Sequence, residues 1–159
     1  MTQSIAVATL LVVCLASPGA GQAIRNWWEY KNADAGIRFV YPAHWSAKRH
    51  SEGNRVWISV GPSHEDTPIS VTLMDRAEAE REASISFPPD AKVTMVTVGG
   101  QREKLTTYYV DRSGYRCITQ VYFGNKAALF FCNLDSEVPE AEEAFYRLLK
   151  SFRFIPDRR

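Results

Sequence analysis

Charge is missing from the first 23 residues. The stretch MTQSIAVATLLVVCLASPGAGQA has no Asp, Glu, Lys or Arg. An apolar run from Ile5 to Leu15 gives way to Ser17, Pro18, Gly19 and Ala20. That is the layout of a secretory signal, a short apolar segment followed by small residues at a cleavage point. Gly21 and Ala23 predict cleavage before Ile24, leaving residues 24–159 as the mature domain. A membrane span needs roughly 20 apolar residues, and no run here reaches that length. Cysteine is scarce as well, with three in the chain. Cys14 follows Leu11-Val12-Val13 rather than the small residue of a lipobox, so it reads as an apolar residue of a discarded segment, not a lipid anchor.

An excess of either charge sign is also absent. Lys and Arg number 19 against 18 Asp and Glu, interspersed, which excludes the basic face of a nucleic-acid binder. There is no internal repeat, low-complexity tract or long Gly/Ser linker, so the mature chain reads as one domain. Catalytic signatures are lacking: no GxSxG elbow, GxxxxGK[ST] phosphate loop, GxGxxG, HExxH or CxxC occurs. Three histidines are present. His44 follows Pro42-Ala43, His50 follows Lys48-Arg49, and His64 precedes Glu65-Asp66. Their spacing matches no metal template, and polar side chains are ordinary in such loops. No metal or cofactor is expected.

What is present begins with YRCITQVYFGNKAALFFC, residues 115–132. Gly124-Asn125 between two strand-like runs is a two-residue hairpin signal. If Phe123 and Lys126 flank the turn, Cys117 falls directly opposite Cys132, in a hydrogen-bonded pair with Cα atoms about 5.5 Å apart. Disulfides accept Cα separations of about 4.4–6.8 Å. In an exported protein this pair is expected to be oxidised, as a structural disulfide rather than half of a zinc site or a redox couple. A three-residue loop would shift the register and spoil the alignment. Both faces of this hairpin are largely apolar, which predicts a central strand pair covered on both sides.

Elsewhere, strands are expected over Trp28–Lys31, Ile37–Tyr41, Arg55–Val60, Ile69–Met74, Lys92–Val98 and Lys104–Asp111, punctuated by Gly and Pro. Residues 75–85, rich in Ala and Glu, predict a short polar helix. Val138, Ala141, Phe145, Leu148, Leu149 and Phe152 form one stripe of a C-terminal amphipathic helix, with Ser136 as its expected N-cap. Glu137, Glu140, Glu142 and Glu143 crowd its start, where the helix dipole favours negative charge.

Two stretches resemble a known family. GIRFVYPAHW, residues 36–45, is similar to the opening of PsbP-like and DcrB-like domains, and FYRLLKSFRF, residues 145–154, to their closing helix. The resemblance implies an α+β fold: an antiparallel sheet sandwiched by helices. Members include a photosystem II extrinsic subunit, a Ran-binding nuclear import factor and bacterial envelope lipoproteins. They are non-enzymatic and bind other macromolecules, so the resemblance carries over no catalytic residue.

Trp27, Trp28, Tyr30, Trp45 and Trp57 concentrate near the first hairpin, either as a core lid or as a partner or ligand surface. Neighbours on a strand face opposite ways, so Trp27 and Trp28 cannot both be buried on one face. The leading expectation is an exported, non-enzymatic binding or accessory domain, periplasmic or secreted, that contacts an envelope or extracellular protein. One alternative is a carrier of a small apolar ligand, with an aromatic pocket between sheet and helix. The other is a hydrolase with an unrecognised site around His44 or His64.

Overall fold

The computed structural model describes residues 26–63, 65–82, 86–110, 114–134 and 137–156. The expected signal segment, with Cys14, and His64 lie outside the described residues. In chain order the elements are β1 (Trp27–Asn32), β2 (Ile37–Pro42), β3 (Ser46–Glu52), β4 (Arg55–Gly61), β5 (Ile69–Asp75), α1 (Arg76–Glu82), β6 (Lys92–Val98), β7 (Gln101–Val110), β8 (Gly114–Phe123), β9 (Lys126–Asn133), α2 (Ala141–Ser151) and β10 (Arg153–Phe154). Seven strands form one antiparallel sheet in the order β3-β4-β5-β9-β8-β7-β6, and β1-β2-β10 form a smaller one. Helix α1 packs on one face of the large sheet and α2 on the other, so the arrangement is the expected α+β one.

The core lies between the large sheet, α2 and the small sheet. Alternation along the strands turns Ile58, Val60, Ile69, Val71, Phe130 and Val121 inward, where Ile37, Phe39, Phe145, Leu148 and Leu149 meet them. Full burial of Phe145, Leu148 and Leu149 favours docking of α2 by roughly 1.5–3 kcal/mol each. Two main-chain donors find partners at this seam. The Val40 N–H donates to Ser151 Oγ at 2.9 Å, and the Gly99 N–H donates to the Leu149 carbonyl at 3.1 Å. On the opposite face α1 covers only Met74 and Ala127, with Tyr122 and Leu129 at the margin. Arg55 fastens it by pairing with Glu78 at 2.6 Å and with Glu82.

The cysteine hairpin has the expected register: Phe123 pairs with Lys126, and Cys117 with Cys132. Gly124 takes φ +60°, as a two-residue loop of this kind requires. The expected disulfide is absent, and both cysteines are buried free thiols. The Leu134 N–H donates to the Tyr115 carbonyl at 2.8 Å, which marks 115/134 as a hydrogen-bonded pair. Two residues along, 117/132 is one too. Directly opposed Cβ atoms in such pairs lie toward 5.5 Å, whereas a disulfide needs about 3.5–4.5 Å. The Cα spacing of such a pair suits a disulfide, whereas its usual Cβ spacing does not favour one. Cys117 Sγ instead sits 3.6 Å from Thr107 Oγ1, and Cys132 Sγ donates weakly to the Ala141 carbonyl at 3.9 Å.

Three further differences stand out. β3 and β10 were not anticipated, and β10 joins β1 and β2 in a separate sheet. Helix α2 begins at Ala141 with Glu140 at its N-cap, and Ser136 lies outside the described residues. Among the described residues the second face of the cysteine hairpin is covered by a helix at one end only.

Candidate functional site

Among the described residues, that second face is where the strands place an open surface. One register row crosses the sheet as Val93, Thr106, Ile118, Phe131, Ser70, Ser59 and Lys48. Ile118, Leu129 and Phe131 are half-buried there, with Leu129 at the margin of the α1 cluster. Next to the helix end the surface deepens into a cleft of about 460 Å³. Its floor is Thr106, Tyr108, Ile118, Gln120 and Leu129, and Met95 of β6 borders it. Phe87, in the segment leading to β6, forms a wall, with its ring 5.3 Å from that of Tyr108. Glu82, Arg102, Glu103 and Lys104 supply charge at the rim. Burial pushes the Glu103 carboxyl above the usual carboxylate range. The volume falls within the range of small-molecule sites, roughly 300–1,000 Å³, and the mixture of an apolar floor with few polar groups is typical of them.

The five aromatics singled out in the sequence do not converge. Trp27 is capped by Arg147, whose guanidinium lies 4.7 Å over the ring. Tyr30 stacks on Phe39 at 4.9 Å, and Trp45 is buried in the core. Trp57 stacks on His50 at 5.1 Å, on the open sheet face but outside the cleft lining. Trp28 alone of the five is largely exposed, at 59%. The residues that do line the cleft were not singled out as a site. Their signal was the apolar second face of the cysteine hairpin, which reads equally well as a helix-packing surface.

The histidines are placed as follows. His44 Nε2 meets Glu140 Oε2 at 2.9 Å, tying the turn after β2 to the start of α2 at the surface. His50 Nε2 lies 2.8 Å from Ser59 Oγ. Among the described residues no carboxylate hydrogen-bonds His50, so this pair lacks the third group that orients a catalytic base. Among the described residues no group of three His, Cys, Asp or Glu side chains could hold a metal ion. Cys117 and Cys132 are poor nucleophiles, because burial pushes both thiols up and away from the thiolate form.

No family model matches the chain, and no curated protein matches it. Among solved structures it is similar to the solution structure of cyanobacterial PsbP (CyanoP) from Synechocystis sp. PCC 6803, with a TM-score of 0.50 and 16% identity. The match covers 88% of this chain and 98% of that one. The chain therefore has a PsbP-like fold. At this identity the likeness speaks to architecture and leaves function to the site.

Proposed function

We propose that this chain is an exported, non-enzymatic binding domain whose site is the cleft on the open face of the large sheet. The observation that carries the reading is the 460 Å³ hollow over Ile118 and Leu129. A sheet face that exposes apolar residues to water loses hydrophobic stabilisation unless something covers them. The ligand this site suits is a small amphipathic molecule. Its apolar body would lie on Ile118, Leu129 and Met95 beside the Phe87 and Tyr108 rings, with a polar or anionic end toward Lys104 and Arg102. Export is supported by the uncharged, apolar leader of residues 1–23. Among the described residues no helix is long and apolar enough to cross a membrane.

The test is titration of the mature chain with anilinonaphthalene sulfonate, an apolar anionic fluorophore. Saturable binding is expected, weakened at least tenfold by Ile118→Asp, a loss of about 1.4 kcal/mol. Absence of saturable binding, or equal binding by a folded Ile118→Asp chain, defeats the reading. A second reading, contact with an envelope or extracellular protein, is favoured by the exposed Trp28 on strand β1. Trp28→Ala should leave fluorophore binding unchanged. If that substitution instead removes a crosslinked partner while Ile118→Asp does not, the protein-contact reading holds.

A further inference from the structure

The two edges of the large sheet are built differently. β3, at one end, reads SAKRHSE and exposes Lys48, Arg49 and Glu52. Charges of this kind guard an edge against pairing with another strand. β6, at the other end, reads KVTMVTV. Its single charge is Lys92 at the start, and Val93 and Met95 are 58% and 50% exposed. Among the described residues β6 pairs with β7 alone.

Its unpaired main-chain groups have a definite phase. A two-residue hairpin loop closes on a hydrogen-bonded pair, here Val98↔Gln101 around Gly99-Gly100. Lys92, Thr94, Val96 and Val98 therefore turn their N–H and C=O groups toward β7. Val93, Met95 and Thr97 turn theirs outward, on the stretch of strand that is exposed.

We infer that β6 is the docking edge for a second copy of this chain. A two-fold axis through Met95 sets Met95 opposite itself and Val93 opposite Thr97 of the second copy. Each of these three residues then uses both its outward N–H and its outward C=O. The same register places Lys92 opposite Val98 of the second copy, so no charge meets a like charge across the join. Such a contact is isologous and closed, which yields a dimer rather than a fibre. A net charge of +1 offers little long-range repulsion between copies. The contact shares Met95 with the cleft, whereas Thr97 lies outside the cleft lining and separates the two.

Sedimentation velocity of the mature chain over a concentration series tests it. A dimer that grows with concentration is expected. Thr97→Pro, which removes an outward N–H and does not line the cleft, should yield a monomer with unchanged far-ultraviolet circular dichroism. Met95→Lys and Met95→Glu chains should each be monomeric alone and dimerise when mixed, because position 95 faces itself across the axis. A wild-type chain that stays monomeric throughout overturns the inference, even if it captures extended peptides. So does a dimer that survives Thr97→Pro and Met95→Lys, or a mixture that stays monomeric.

Discussion

Cys117 and Cys132 lie on the core face of the sheet, one beside Thr107 and the other under the start of α2. Burial is the largest influence on both, and it disfavours the charged thiolate. The folded chain therefore holds both protons at pH values where an unfolded thiol, with a pKa of about 8.5, has lost its own. Stability contributed this way is complete below the unfolded pKa and declines as pH rises toward the raised folded values. Urea midpoints should accordingly fall above pH ~8.5, and fall less in a Cys117→Ala/Cys132→Ala chain. Iodoacetamide should spare both thiols at pH 8 in the folded protein and modify both after denaturation; ready modification of the folded chain would contradict this account. The sequence made the opposition of these residues legible, since a Gly-Asn loop counts out the register by itself. Opposition alone does not make a bond, because a hydrogen-bonded pair holds its Cβ atoms wider apart than a disulfide prefers.

Among the elements, long strands with alternating or apolar sequences were readable, and β3 was not. Its polar composition is that of an edge strand selected to resist pairing, so periodicity is silent there. β10 is two residues long and exists because β2 offers it partners. Helix α2 starts later than its glutamate-rich approach suggests, since charge near a helix start does not fix the first turn. The β6–β7 turn shows how tightly α2 constrains its neighbours. Gly99 has φ +60°, and a Cβ there would lie 3.0 Å from the Phe152 carbonyl oxygen. Gly100 has φ +92° with open space around it. Both lose roughly 1–2 kcal/mol on substitution by Ala through left-handed strain alone. Gly99→Ala should cost more, because α2 must also give way; equal urea midpoints for the two variants would show that the helix end yields freely.

For the whole molecule, the α+β layering was legible, and the uneven covering of the large sheet was not. Apolar residues on both faces of β8 and β9 announced two buried faces, yet among the described residues α1 covers one end of the second. The cleft is the remainder. Composition cannot distinguish a surface meant for a helix from one meant for a ligand, since both ask for the same side chains.

The strand order carries one more consequence. β3 to β5 and β6 to β9 are each meanders of chain neighbours, and the two meet along a single join, from Ile69↔Cys132 to Asp75↔Lys126. Closing the ~50 residues between them costs roughly 3 kcal/mol of chain entropy before any pair at the join repays it. That step should set the speed at which the polypeptide reaches its native state. Val71→Ala, facing Phe130 across the join, is expected to slow refolding in stopped-flow measurements. A change confined to the unfolding limb would place the meeting of the two meanders after the barrier.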